Sequence, residues 1–148
     1  MKYLNDLRKF LDKYYVKIPS LPKGLKDFIV AAAPWLALIF GVIAIITGIG
    51  AFGALSFISP FAAYAGVRGY ALAAILSAVV LLLQGLIELI AFPSLKTKKV
   101  KGWNLMYYSL LLSVLSSLIV LSVYSVLNAL IGALIGYYIL YQIRTYYK

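Results

Sequence analysis

The stretch Gln84–Trp103, QGLIELIAFPSLKTKKVKGW, decides the fold of this chain. It contains the only acidic residue after Asp27, which is Glu88, and then Pro93 and a cluster of lysines: Lys96, Lys98, Lys99 and Lys101. Long apolar runs lie on both sides. A short basic segment between two apolar spans is typical of a cytoplasmic loop of a membrane protein. We therefore predict that a span ends near Pro93 and that the lysines contact anionic lipid headgroups.

The composition of the whole chain agrees with this interpretation. Its 148 residues are 64% hydrophobic and 12% charged, with a net charge of +10, which is far outside soluble globular usage. The absence of Cys and His excludes disulfides, thiol catalysis and Cys/His metal sites. The basic residues flank apolar spans without any nucleic-acid-binding motif, so we expect lipid headgroups and not nucleic acid as their partner. We expect no cofactor.

The N-terminal residues 1–18 predict an amphipathic helix on the membrane surface. Apolar residues recur at helical spacing, and Lys9, Lys13 and Lys17 lie on the opposite face, where they would contact headgroups. A helix that packs against the bundle or a partner is the alternative. Prolines at positions 19 and 22 predict a linker over residues 19–27.

Two long uncharged runs and the apolar stretch between them predict four membrane spans. The first run lies between Asp27 and Arg68, and the second extends from Gly102 to Gln142. The stretch between them, at about 70–92, contains one charge, Glu88. The second run would make a helix of roughly 60 Å, twice a bilayer core of about 30 Å, so we expect a hairpin with its turn near residues 124–128. The predicted fold is an all-α membrane protein, a four-helix transmembrane bundle over residues 28–148 with spans at about 28–50, 70–92, 104–123 and 126–146.

The glycine-rich residues 51–69 predict an irregular outer connection, with a re-entrant segment as the alternative. Gly48, Gly50 and Gly53 spell G-x-G-x-x-G, the motif of dinucleotide-binding proteins. That motif must follow a strand and open a helix, whereas here it closes an apolar helix, so we reject dinucleotide binding.

The distribution of Lys and Arg predicts the topology. Four spans with both termini in the cytoplasm place thirteen of the fourteen basic residues on one side, with only Arg68 outside. We therefore expect a multi-pass protein of the cell membrane.

Small residues predict where two helices pack closely. They recur every four residues on the third and fourth spans: Ser109, Ser113 and Ser117, and Asn128, Gly132 and Gly136. We expect these two stripes to face each other in the hairpin, with dimerisation through Gly132 and Gly136 as the alternative. Nearby aromatic residues such as Trp103, Tyr107 and Tyr137 predict a belt at headgroup level, and an aromatic ligand cage is the alternative.

Gln84 and Glu88 are a candidate polar site inside the membrane, because residues four apart share one helix face. An intramembrane carboxylate is a candidate proton or cation site. The other interpretation is structural, with Glu88 neutralised by a lysine of the adjacent loop.

The run AFPSLKTKKVKGWNLMYYS, together with the basic helix before Trp35 and the Gly- and Tyr-rich last span, resembles small uncharacterised four-span bacterial membrane proteins. The resemblance covers most of the chain and implies an architecture but no activity. The spans contain one carboxylate and no base, so we expect no enzyme. We predict a scaffold, assembly factor or accessory subunit that binds a second copy or another membrane protein. The alternative is a small oligomeric transporter or channel that uses Gln84 and Glu88.

Overall fold

A computed structural model describes residues 19–64, 68–120 and 123–148. These residues form four α-helices and a final 3₁₀ turn: α1 (Lys23–Tyr64), α2 (Arg68–Lys96), α3 (Val100–Val120), α4 (Val123–Gln142) and the turn Arg144–Tyr146. All four helices are long and apolar enough to cross a membrane, so the predicted all-helical, multi-pass class is confirmed at that level. The predicted surface helix 1–18, with Lys9, Lys13 and Lys17, lies outside the described residues.

Helix α1 is much longer than the predicted span 28–50. It begins at Lys23, inside the predicted linker, and continues without a break to Tyr64, through most of the predicted irregular connection. A backbone in an apolar environment, in lipid or against another protein, can satisfy its hydrogen bonds only by staying helical. That requirement outweighs the cost of about 1 kcal/mol for each glycine inside the helix.

Helix α2 continues past Pro93 for one more turn, although we expected the proline to end it. Three carbonyls of the last turn find donors. The Thr97 N–H donates to Pro93 O, the Lys98 N–H to Leu95 O (3.0 Å), and the Lys99 N–H to Ser94 O (2.8 Å). The last two bonds make a Schellman motif, with Lys98 in the left-handed conformation at φ 53°.

This conformation leads to a prediction for Lys98→Gly. A side chain disfavours the left-handed region and glycine does not, so we expect the replacement to stabilise the fold by about 0.5–1 kcal/mol. Thermal unfolding in detergent measures the change. Lys99→Gly removes the same charge from a residue outside this region, and it should not stabilise the protein. Equal effects of the two variants would contradict the explanation.

The predicted turn near residues 124–128 is wrong, because these residues are helical and belong to the start of α4. α3 ends at Val120 and α4 begins at Val123, and residues 121–122 lie outside the described residues. α3 and α4 each contain about twenty residues, so each is roughly 30 Å long and matches one bilayer core.

The helices pack in chain order, and the most extensive contact joins α1 and α2. Gly41 and Gly85 meet there. A Cβ on Gly85 would lie 2.9 Å from the Gly41 carbonyl oxygen, and a Cβ on Gly48 would lie 2.7 Å from the Leu82 side chain. Along their described lengths, α1 and α4 scarcely touch. The bundle therefore has a cleft between its first and last helices.

The far end of the α1–α2 hairpin extends beyond α3 and α4. Ser109 contacts Glu88, so helical geometry places Val120 level with about Ser77, and the Gly41–Gly85 contact places Ser77 level with about Ile49. Residues 50–64 thus extend roughly 20 Å past the α3–α4 turn. Their large side chains are exposed: Phe57 by 81%, Phe61 by 73% and Tyr64 by 93%.

The opposite end of the bundle, its base, is tied together by the residues after α4. The Lys148 N–H donates to Lys98 O, and the Val100 N–H donates to Lys148 O. Tyr147 is buried here, and burial raises the pKa of its phenol to about 12. The start of α1, the α2–α3 loop and the C-terminal residues therefore share one end of the molecule.

Candidate functional site

Gln84 and Glu88 lie together on α2, as their spacing predicts, and the Gln84 amide approaches the Glu88 carboxylate at 3.5 Å. Glu88 is only 8% exposed and accepts a hydrogen bond of 3.0 Å from the Ser109 hydroxyl of α3. Its stem lies beside α1, because a Cβ on Gly41 would be 3.2 Å from the Glu88 Cβ. The carboxylate is therefore held between α2 and α3.

The structure does not bring the lysine loop to Glu88. Among the described residues, the hydrogen bonds to its carboxylate come from Ser109 and Gln84, and no ion pair with Lys or Arg is formed. Lys96 instead extends its ammonium group to 5.8 Å from the Trp35 ring. The reason is that the Glu88 side chain points into the bundle, whereas the α2–α3 loop lies at the base.

The predicted seam between α3 and α4 takes a different form. Ser109 faces Glu88 of α2, and the Ser117 hydroxyl donates to Val114 O of its own helix. On α4, Asn128 and Gly132 are exposed, and nothing lies within 4 Å of a Cβ placed on Gly132. Gly136 alone of the predicted α4 stripe meets α3, at the Leu110 side chain (2.9 Å). The small residues of α3 and α4 therefore do not form one shared contact. Dimerisation through Gly132 and Gly136 stays a prediction.

Aromatic side chains form the contact between α3 and α4 instead. Trp103 is 1% exposed and stacks on Tyr107, with ring centroids 5.7 Å apart. Tyr107 in turn packs against Tyr137 at 5.2 Å. The Trp103 Nε1–H donates to Leu140 O at 2.7 Å. These rings are a packed core near the base, so they form neither the expected headgroup belt nor an open cage.

The bond from Trp103 has a local cause. α4 ends at Gln142, so the carbonyls of its last turn lack donors within the helix. The indole N–H supplies one of them from α3. Arg144 lies over the same indole, with its Cζ 5.2 Å from the ring centroid. Trp103 thus closes the end of α4 and joins it to α3.

The cleft between α1 and α4 has a volume of about 290 Å³ and an almost wholly apolar wall. Its sides are Ile29 and Phe40 of α1, Gly136 of α4, and Ile143, which directly follows α4. Met106 and Leu110 of α3, with Leu95 and Glu88 of α2, form the floor. Glu88 borders this cleft but is only 8% exposed, and its hydrogen bonds from Ser109 and Gln84 both end on one oxygen, Oε1.

The base of the bundle is strongly basic. Eight of the nine Lys and Arg among the described residues lie there: Lys23, Lys26, Lys96, Lys98, Lys99, Lys101, Arg144 and Lys148. The ninth, Arg68, begins α2 at the other end. Asp27 is the only described acid at the base, and its hydrogen bond with the Tyr146 phenol raises the pKa of that phenol. Such a surface attracts anionic groups.

The described residues contain no group of three acidic, His or Cys side chains that could hold a metal ion. No family model, curated protein or solved structure matches this chain. Function is therefore inferred from the geometry alone.

Sequence reasoning missed the closest helix contact and the cleft. The contact was visible in part, because Ala37, Gly41, Ala44 and Gly48 recur at helical spacing and form a small-residue stripe on α1. The cleft had no such signal. Its lining residues come from four helices, and they are as apolar as those that face outward.

Proposed function

We propose that this is a non-enzymatic integral membrane protein that acts as a scaffold, assembly factor or accessory subunit of a membrane complex. The observation that carries the proposal is the exposed apolar end of the α1–α2 hairpin. The basic base supports a cell-membrane location with the base in the cytoplasm, where anionic lipid headgroups would contact Lys96, Lys98, Lys99 and Lys101.

The length of α1 argues that a partner covers the hairpin end. Its apolar run from residue 28 to 64 is roughly 55 Å long, nearly twice a bilayer core of about 30 Å. A tilt of about 40°, the upper range for membrane helices, would still leave roughly 10 Å uncovered. Exposed aromatic rings in water favour association, and Phe57 and Phe61 are the most suitable anchors.

The experiment is to measure the mass of the complex extracted from its native membrane in mild detergent. We expect a complex larger than the 16.3 kDa chain with its detergent, either a multiple of that mass or a mass that includes a second membrane protein. Phe57→Ser with Phe61→Ser should release the single chain. Leu130→Ser, an exposed apolar residue level with the bundle, is the matched control and should leave the complex intact. A wild type that is already monomeric would contradict the proposal.

Topology has a direct test, because the chain contains no native cysteine. Single cysteines at Thr97, in the α2–α3 loop, and at Gly66, in the connection after α1, are exposed to a membrane-impermeant thiol reagent outside intact cells. We expect labelling at Gly66→Cys and not at Thr97→Cys. The reverse pattern would place the basic base outside and overturn the proposed orientation.

The alternative of a transporter that uses Gln84 and Glu88 has less support, since the cleft that Glu88 borders is almost wholly apolar. We expect Glu88→Gln to change the free energy of unfolding by no more than about 1 kcal/mol, because the amide oxygen still accepts from Ser109. Glu88→Leu removes this acceptor and should cost about 1–3 kcal/mol. Ion flux into proteoliposomes that wild type supports and Glu88→Gln abolishes would establish the transporter instead.

A further inference from the structure

We propose that the cleft between α1 and α4 binds one acyl chain of an anionic phospholipid, whose headgroup lies beside the basic base. This site is separate from the exposed hairpin end, and the inference does not depend on the partner proposed above. It follows from three properties of the cleft: its chemistry, its dimensions and the charge at its end.

The chemistry of the cleft suits a hydrocarbon chain. Its wall is almost wholly apolar, and the one acidic residue that borders it, Glu88, is only 8% exposed, with Oε1 accepting hydrogen bonds from Ser109 and Gln84. A polar or cationic solute would therefore lose its hydration and gain few hydrogen-bond partners. A saturated chain has no such requirement, and it gains contact with Phe40, Met106 and Ile139.

The depth of the cleft is that of one leaflet. From Ile29 to Phe40 along α1 the cleft extends roughly 16 Å, about half of a bilayer core. Ile29, Leu95 and Ile143 mark its end at the base, and Phe40 and Gly136 lie toward the middle of the bundle. An acyl chain whose headgroup is at the base would occupy this length.

The size of the cleft suits a slender ligand. Its volume of about 290 Å³ lies at the lower end of the roughly 300–1,000 Å³ of ligand pockets. One extended acyl chain is a ligand of this kind.

Charge at the base selects the headgroup. Lys26 lies one turn before Ile29 on the same face of α1, and Lys23 lies one turn further toward the start of the helix. The segment before α1 lies against α4 at this end, since the Tyr138 hydroxyl donates to Pro19 O and the Leu21 N–H donates to the Gln142 side chain. The end of the cleft thus joins an apolar chain site to cationic side chains, which is the pattern of an anionic phospholipid.

The first test uses the wild-type protein in detergent with one equivalent of phosphatidylglycerol that carries a photoreactive diazirine in the middle of one acyl chain. We expect cross-links at Phe40, Met106 and Ile139, as located by peptide mass spectrometry. Ile131 and Leu134 are exposed on α4 outside the cleft and serve as the internal control. Cross-links spread evenly over both sets would overturn the proposal.

The second test compares two variants that differ by one helical turn. Gly136→Leu fills the cleft, while Gly132→Leu places the same side chain in open space. Native mass spectrometry with phosphatidylglycerol should show retention of one lipid by wild type and Gly132→Leu, and at least tenfold weaker retention by Gly136→Leu. Ala33→Leu fills the cleft from α1 and should behave as Gly136→Leu does, and circular dichroism verifies that each variant is folded. If Gly136→Leu and Ala33→Leu are folded and retain the lipid as well as Gly132→Leu does, the proposed site is refuted.

The headgroup is tested with Lys26→Gln. It should weaken retention of phosphatidylglycerol severalfold and leave retention of phosphatidylcholine with the same chains unchanged. Equal wild-type binding of the two lipids would contradict the anionic assignment. A dimer of the chain that excludes lipid from the cleft would show that a second copy occupies this face, and the proposal would fail.

Discussion

Gly85→Leu should prevent stable packing of α1 against α2 and cost about 3 kcal/mol or more. A Cβ at this position would already lie 2.8 Å from Ile45 Cγ1, 2.9 Å from the Gly41 carbonyl oxygen and 3.1 Å from the Ala44 Cβ. The backbone oxygen of Gly41 cannot rotate away as the end of a side chain can. Four added side-chain carbons therefore force the two helices apart along their most extensive contact, which is the strongest form of overpacking.

The matched control is Gly50→Leu, because nothing lies within 4 Å of a Cβ at Gly50. Leucine favours a helix more than glycine does, so this variant should be neutral or more stable by up to about 1 kcal/mol. Chemical unfolding in detergent, followed by circular dichroism, gives both free energies. Comparable losses for the two variants would mean that a glycine-to-leucine change is harmful on any face of these helices, and the Gly41–Gly85 contact would lose its explanation.

Trp103→Ala should be the most destabilising change near the base, at about 3–5 kcal/mol. The indole is 1% exposed, and its removal leaves a large cavity among Tyr107, Tyr141 and Leu140. It also removes the donor that reaches the Leu140 carbonyl at the end of α4. Both losses affect the same contact, because Trp103 of α3 packs against Tyr141 and Leu140 of α4.

Trp103→Phe separates the two contributions. It retains most of the ring volume and loses the hydrogen bond, so we expect a cost of about 1–3 kcal/mol. Trp35→Phe is the control, since Trp35 is 55% exposed and such a substitution is usually within about 0.5 kcal/mol of wild type. Thermal unfolding by circular dichroism reports all three. Similar melting temperatures for Trp103→Phe and wild type would show that the bond to Leu140 contributes little.

Much of the helical structure could be predicted from the sequence. The lysine cluster after Glu88 does lie in and beside a tight loop, and α3 and α4 do divide one long uncharged run. The errors came from treating glycine and proline as they act in water. Residues 51–64 and Pro93 stay helical here, because an apolar environment offers an unpaired backbone group no alternative partner.

Of the candidate site, only the pairing of Gln84 with Glu88 could be predicted from the sequence. Gln84 and Glu88 share a face, as residues four apart on any helix do. That the carboxylate meets Ser109 and not a lysine depends on how α2 is rotated against α3. The rotation of α2 against α3 cannot be predicted from the local sequence, because both helices are apolar on nearly every side.

The sequence by itself determined that the described residues form four long apolar helices and that charge is concentrated at the base, since both depend on local composition, on helix length and on the cost of a charge in lipid. Only the tertiary structure decided which faces meet. Packing between apolar helices is selected by shape, and a close contact such as Gly41 against Gly85 or a gap such as the α1–α4 cleft exists only once both helices are in place.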